Sequence, residues 1–434
     1  MKRRVLVFLS LCLLPTVVLA DVNGKSYWPH WRGPNGNGLV DRGDPPVEWS
    51  ETRNIRWKMK IPGMGHATPV VWGDRIFVQT AVQTDKAVED ANPGRRPPPP
   101  YLFQYRVLAL DRKTGNMLWE RTVREAHPHE GMHLTASFAS TSGVTDGEHL
   151  YAHFGSQGLY CFDLDGNLKW EKDFGDLRIR NSFGEGSSPT IYGNTLVINW
   201  DHEGDSFIVA LDKRTGEERW RNAREEVTSW STPLVVEHGD KPQVIVSASG
   251  RTRGYDLVTG KLIWECAGLG SNVVPTPVHA NGVVYVTSGH RNPAMQAILL
   301  DRARGDVTDS DAVLWSIDQD TPYVSSPLLY GGRLYFLKNR HAILSCYNAK
   351  TGEALYGPQR LEGMKQAYAS LVGVKNRVYI SGLEGTTLVI KNGSEYEILA
   401  SNQLDEKIAA SPVVVGDELY LRGQQHLYCI AKDE

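Results

Sequence analysis

One unit recurs eight times along this chain, and any fold it adopts must be built from eight copies of that unit. Residues 187–220 show it most completely: SSPTIYGNTLVINWDHEGDSFIVALDKRTGEERW. SSPTIYG and TLVIN read as two short strands joined by a Gly193-Asn194 turn. FIVAL and the run to Trp220 read as two more, joined by the turn DKRTG. Each run is apolar or alternating over about five residues, and each break holds Gly, Asn or Asp, the pattern of short antiparallel strands. A four-stranded sheet of roughly 44 residues cannot bury both faces by itself, so it must stack on neighbours.

The neighbours are copies. The Pro that follows Ser or Thr recurs as Pro69, Pro189, Pro233, Pro277, Pro327 and Pro412, with Gly143 and Leu371 at the same point in two degenerate copies. These anchors lie 41 to 50 residues apart, except for a first interval of 74. The second half of the unit returns as ALDRKTGNMLW at 109–119, CFDLDGNLKW at 161–170, GYDLVTGKLIW at 254–264 and CYNAKTGEALY at 346–356, and is stretched around 300–315. Asp212 can accept N–H bonds from the turn that follows it, and Gly216 suits the positive φ that closes that turn. A Trp falls on the last strand of most copies, as Trp57, Trp119, Trp170, Trp220, Trp264 and Trp315. There a large ring can cover the next sheet while its indole N–H finds a carbonyl.

Two fragments close the series. Residues 54–61 carry the Trp of a fourth strand with no first three before it; residues 411–431 supply three strands and no fourth. Each completes the other, which closes a ring. The expected fold is all-β: one eight-bladed β-propeller over 21–434, of four-stranded antiparallel blades, the last completed by an N-terminal strand. Residues 21–53, rich in Gly, Pro and Trp, form an arm. Within blade 1, residues 79–105 contain PGRRPPPPY. Four consecutive prolines cannot join a sheet, so this segment is expected to be an insertion loop, partly polyproline.

The repeat SPxVxxGxxYV…LxALDxxTGxxxW resembles the pyrroloquinoline-quinone-like β-propeller repeat. That family includes quinoprotein alcohol dehydrogenases and the propeller lipoprotein of the outer-membrane β-barrel assembly machine. WPHWRGPNGNG at 28–38 further resembles secreted bacterial quinone-like repeat proteins. For the dehydrogenase branch the resemblance implies a quinone under adjacent cysteines, a calcium held by Glu and Asn, and a catalytic Asp. This sequence has no Cys-Cys pair.

Residues 1–20 read as a signal peptide: Lys2, Arg3 and Arg4, an apolar run interrupted by Pro15, and a small-residue cleavage site at Ala20. Periplasmic or secreted location follows, with no transmembrane anchor. The four cysteines beyond the leader are Cys161, Cys266, Cys346 and Cys429. Three of them fall at equivalent places on third strands of different blades, too far apart to bridge, so all are expected to be free and buried. A net charge of -3 gives no reason to expect nucleic acid as a partner. A monomer is expected.

Long loops between blades, and between second and third strands, collect on one end of the scaffold, where function usually sits. The geometry of the repeat places His133, Arg180, Glu185, Asp201, His202, Arg251 and Arg340 on the rim of the central funnel. Arg178, Arg180, Asn181 and Glu185 lie in a loop suited to an anionic ligand. Asp201, Glu203 and Asp205 alternate around a Gly as calcium ligands can. His129-Glu130-Gly131-Met132-His133 matches HExxH, whose zinc chemistry needs a helix that Pro128 and Gly131 oppose; His127, His129 and His133 could hold a metal in another geometry. No catalytic set is recognisable. The expected function is therefore an exported, non-catalytic scaffold binding a protein or an envelope glycan, with no cofactor. The alternatives are an oxidoreductase holding pyrroloquinoline quinone and calcium in the funnel, and a hydrolase or lyase built on the His and acid loops.

Overall fold

The computed structural model describes residues 26–89, 96–239, 241–338 and 340–432. The expected leader lies outside these. Eight sheets form the eight blades. Blade 3 is representative: Thr190–Tyr192, Thr195–Trp200, Phe207–Asp212 and Glu218–Ala223 pair antiparallel in that order. Blade 1 begins at Val70–Trp72 and blade 8 at Val413–Val415. Ile55–Lys60 pairs antiparallel with His426–Ile430 and completes blade 8, setting Trp57 opposite Cys429. Among the described residues no helix is long and apolar enough to cross a membrane.

The anchor positions explain how the first strands meet around the axis. The residue before each anchor is Ser or Thr, and a residue before Pro is pushed toward extended backbone. Seven of these eight backbone N–H groups donate to the hydroxyl of their counterpart in the next blade: Thr68 to Ser142, Ser142 to Ser188, Ser188 to Thr232, Thr276 to Ser326, Ser326 to Ser370, Ser370 to Ser411, and Ser411 back to Thr68, at 2.9–3.2 Å. The relay skips one place, between Thr232 and Thr276, and the Thr276 hydroxyl has no partner.

The outer contact between blades is the Trp of one last strand against the turn of the next blade. Trp57, Trp119, Trp170, Trp220 and Trp315 donate to the carbonyls of Arg112, Leu164, Lys213, Leu257 and Ala349 at 2.9–3.1 Å. Each ring lies over the Gly of that turn, as Trp170 lies over Gly216. A Cβ on Gly216 would sit 2.8 Å from the Trp170 ring, at a φ of +73°. The turn therefore needs Gly both for its backbone and for its neighbour. Trp264 departs from the pattern and donates inside its own blade, to Gln243 Oε1 at 2.9 Å. The stretched segment of blade 5 explains this: it lacks the TG turn and instead sends Gly305–Asp306 to pair in parallel with Trp264 and Glu265, as a fifth strand. Blade 7 also gains a fifth strand, Leu39–Val40 of the arm.

The arm lies across the first strands. Trp28 exchanges backbone bonds with Val71 in blade 1, the Pro29 carbonyl accepts from Thr145 in blade 2, and the Gly38 carbonyl accepts from Gly373 in blade 7. Arg32 is fully buried beneath it and donates to the carbonyls of Leu371, Asn37 and Pro327.

The insertion in blade 1 corrects an expectation. Residues 79–105 are mostly sheet: Arg75–Ala87 and Tyr101–Asp111 are strands of 13 and 11 residues, paired from Arg75↔Asp111 through Gln83↔Phe103. Of the described residues between them, 88–89 and 96–100, the latter with prolines 97–100, lie outside the strands. The long hairpin is held because Phe103 and Tyr105 pack on Phe138 and Phe154 at ring distances of 4.9 and 5.7 Å. All four cysteines are free and buried. Burial pushes the Cys161 and Cys429 thiols up to about 12.

Candidate functional site: the axial funnel

The loops before the first strands converge on a cavity of about 450 Å³. Two tiers of the repeat build its wall. The hydroxyl tier directly before the anchors contributes six of its members, Thr68, Ser142, Ser188, Thr232, Ser370 and Ser411. Three residues before each anchor stands a second tier, lined in all eight blades; its ring-bearing members are His66, Trp230 and Tyr368. Trp31 of the arm, Phe183 and Tyr323 add further aromatic surface, and His133, His290 and Arg340 complete the lining from loops.

The aromatic groups are fixed in place. Trp230 donates its indole N–H to the Gly184 carbonyl at 2.7 Å. Tyr323 stacks on His290 with centroids 5.0 Å apart and planes 28° apart. His133 meets Phe183 edge-on at 5.9 Å, and the Arg96 guanidinium lies 4.8 Å over the Phe183 ring. His133 Nδ1 accepts the Thr135 amide at 3.2 Å. Partial burial, with Arg96 and Arg340 nearby, holds the His133 imidazole below its usual range. Burial, with Arg291, Arg180 and Arg340, does the same to His290. Both rings are therefore neutral at pH 7, in a field set by arginines.

Of the expected rim residues, His133, Glu185 and Arg340 line the cavity, and Arg180 lies close enough to act on His290. Arg180 also pairs with Glu203 at 3.1 Å. Asp201, His202 and Arg251 are not brought to the funnel. Asp201 is buried and gripped by Arg224 at 2.7 and 3.1 Å, with Ser229 donating at 2.7 Å. His202 is buried and its Nδ1 accepts the Arg178 amide at 3.0 Å. Arg251 begins a strand, Arg251–Asp256, and pairs with Glu265 at 2.9 Å. Loop length is not the reason: residues 201–206 span six positions, against five each for 289–293 and 338–342, and it is the bonds from Arg224, Ser229 and the Arg178 amide that hold Asp201 and His202 inside the protein. His66, Phe183, Trp230, His290, Tyr323 and Tyr368 were missed. Counting three residues back from each anchor finds His66, Trp230 and Tyr368.

The metal expectations dissolve in the same way. Asp201 is spent on Arg224 and Glu203 on Arg180 and Thr228, so Asp201, Glu203 and Asp205 do not converge. The HExxH segment forms no helix. His127 bonds the Pro99 carbonyl at 3.1 Å, His129 the Leu177 carbonyl at 2.8 Å and His133 the Thr135 hydroxyl at 2.8 Å, so each imidazole has a different partner. Among the described residues one group has metal-ligand spacing, Asp146, Glu148 and His149. There Asp146 is already held by Lys213 at 2.7 Å and by two turn amides.

A calcium-bound quinone asks for several converging oxygen donors. Glu185 is the one carboxylate among the described residues of the funnel wall, and it accepts from the amide and hydroxyl of Ser156. Among the described residues no cysteine lines the cavity. The donor set does not suit that group.

Glu185 supports a pH prediction. Burial pushes its carboxyl up to about 7, against hydrogen bonds from Ser156 that favour the charged form. A carboxyl raised on folding stabilises fully below its unfolded value, near 4.5, and that stability is lost as pH rises through about 7. Glu185→Gln cannot ionise. Relative to the parent, the variant is expected to gain on the order of 2 kcal/mol between pH 5 and pH 8 in denaturant unfolding. An equal difference at both pH values would show that the carboxyl is ionised throughout.

The family model described as outer membrane protein assembly factor BamB matches residues 34–196, 103–306 and 307–433. No curated protein matches the sequence. Among solved structures, the chain is similar to BamB from Moraxella catarrhalis, at 13% identity over 87% of this chain and 97% of that one, with a TM-score of 0.56. It is similar to a europium-containing methanol dehydrogenase at 10% identity, over 93% and 91%, with a TM-score of 0.65. It is similar to quinohemoprotein alcohol dehydrogenase from Comamonas testosteroni at 11% identity, over 96% and 82%, with a TM-score of 0.65. At such identities these structures speak to the propeller fold alone. With the model matches running through nearly all of residues 34–433, the chain belongs to the BamB family of pyrroloquinoline-quinone-like β-propeller repeat proteins.

Proposed function

We propose that this protein is an exported, non-catalytic binding propeller of the cell envelope, whose axial funnel is the recognition site. One observation carries the reading: the wall offers aromatic rings, hydroxyls and the Arg340 guanidinium, while its carboxylate, Glu185, is committed to Ser156. A wall of that kind recognises: among its described residues one hydroxyl meets an imidazole, Thr135 with His133 at 2.8 Å, but no carboxylate backs that imidazole, and the oxygens that converge are neutral hydroxyls. The charged-then-apolar stretch at 1–20 supports export, and the family match supports a partner in the envelope. The test is absorbance and turnover. Pyrroloquinoline quinone added with calcium to the purified chain is expected to stay unbound in the difference spectrum, with no alcohol-dependent dye reduction. A bound spectrum with turnover would overturn the proposal in favour of a dehydrogenase.

A further inference from the structure

We infer that the funnel takes a neutral sugar whose hydroxyls are all equatorial, a glucose-type ring or a β-linked pair of them, on a floor of hydroxyl donors beside a wall of aromatic rings. The inference rests on the binding reading above and names the ligand class of that site.

The floor is the hydroxyl tier. Thr68, Ser142, Ser188, Thr232, Ser370 and Ser411 line the cavity from blades 1, 2, 3, 4, 7 and 8, which form one unbroken arc around the closed ring. All six are buried, with exposures of 3–7%. Each oxygen accepts a backbone N–H from the blade before it, as Ser142 accepts from Thr68 and Thr68 from Ser411. Among the described residues none of the six passes its own proton to a protein acceptor, so the arc presents donors. A buried donor that a ligand leaves unmatched is costly, so the floor selects a ligand with oxygens along its edge. An extended peptide presents carbonyls alternating with N–H groups, and meets such an arc with only half of its polar edge.

The wall sets the second demand. Trp230, Tyr323 and Tyr368 stand just before the first strands of blades 4, 6 and 7, and so face the cavity from more than one side. Trp230 is pinned by its bond to the Gly184 carbonyl and Tyr323 by its stack on His290. Rings on several sides ask for a ligand that is hydrocarbon on both faces and oxygen at its rim. A pyranose with every hydroxyl equatorial is such a body; an axial hydroxyl would set oxygen against a ring. The cavity, at about 450 Å³, falls in the range of about 300–1,000 Å³ usual for small-molecule sites.

Charge does not select the ligand. Arg340 is engaged within the protein, Arg96 donates to the Asn181 carbonyl at 2.9 Å, Arg180 pairs with Glu203 at 3.1 Å, and Glu185 accepts from Ser156 at 2.9 Å. With these groups engaged, a neutral ligand suits the site.

The experiment is calorimetric titration of the whole chain with cellobiose, sorbitol and sulfate. Cellobiose is expected to bind at one site, and about tenfold or more tighter than sorbitol, which carries the hydroxyls of glucose without a ring face. Ser370→Ala should weaken cellobiose about tenfold, while Ser370→Thr, which keeps the hydroxyl and copies Thr68 and Thr232, should bind as the parent does. Tyr368→Leu should close the gap between cellobiose and sorbitol, and carries the test if melting curves show that Ser370→Ala does not fold. Arg251→Gln, outside the funnel, should bind cellobiose unchanged. Equal affinity for cellobiose and sorbitol in the parent overturns the ring wall. Cellobiose binding that neither Ser370→Ala nor Tyr368→Leu alters places the sugar outside the funnel and overturns the inference. Sulfate binding with no sugar binding makes the arc an anion site and overturns the sugar. Failure of all three probes overturns the inference. The proposed function itself stands or falls on the quinone spectrum and turnover, a separate readout.

Discussion

Asp201→Ala is expected to destabilise the protein by about 3–5 kcal/mol, the largest effect of any single substitution considered for this fold. Asp201 and Arg224 have side-chain exposures of 0% and 1%. The guanidinium makes a two-pronged bond to the carboxylate at 2.7 and 3.1 Å and a third bond to the Tyr255 hydroxyl at 2.6 Å. Removing the carboxylate leaves a buried cation with a phenol and, for charge, only the Glu226 carboxylate that Arg253 already holds, and also strips acceptors from Ser229 and Asn199. Truncating one partner of a buried pair costs far more than the intact pair contributes. The double variant Asp201→Leu with Arg224→Met should therefore recover much of the loss. Urea unfolding of the single and double variants measures both. A single variant within about 1 kcal/mol of the parent would mean that Asp201 is solvated, as a rim residue would be.

Deleting residues 54–61 should be more damaging still, because it opens the ring. His426–Ile430 would lose its partner strand and present an unpaired edge. Trp57 would no longer cover Gly115 or bond the Arg112 carbonyl, so blades 8 and 1 would lose the contact that joins neighbouring blades elsewhere. Glu418 would lose Arg56, one of the two arginines that pair with it. The expected outcome is aggregation, or a broad melt in place of a cooperative one. A soluble deletion variant with an unchanged melting temperature would show that blade 8 is stable with three strands.

These two expectations differ in how much of them the sequence contained. The closing strand was legible. A lone fourth-strand motif at Trp57 and a three-strand remnant at 411–431 are unpaired halves of a known unit, and a repeat admits one way to join them. The same regularity announced the Trp-to-turn contact and the free cysteines. Such features repeat because each blade solves the same packing problem against its neighbour, so local pattern and global fold agree.

The role of Asp201 was not legible. In the sequence it is one acid in a polar loop, DHEGDS, equally suited to solvent, calcium or a ligand. Only the fold brings Arg224, 23 positions on, back under that loop and buries both. His202 and Arg251 were misplaced toward the axis for a related reason: chain order says which loop a residue occupies but not how far that loop stands from the axis. The funnel lay between these cases. Its hydroxyl floor and ring wall sit one and three residues before each anchor, a register written in the sequence at His66, Trp230 and Tyr368. His290 and Arg340 share a register, 13 residues past Pro277 and Pro327, but so does His202 past Pro189, and His202 is buried away from the funnel, so that register alone does not tell which of them line it. What recurs in every blade is dictated by the repeat; what makes the funnel aromatic and cationic comes from the departures, and side chains from separate blades converge only once the ring has closed.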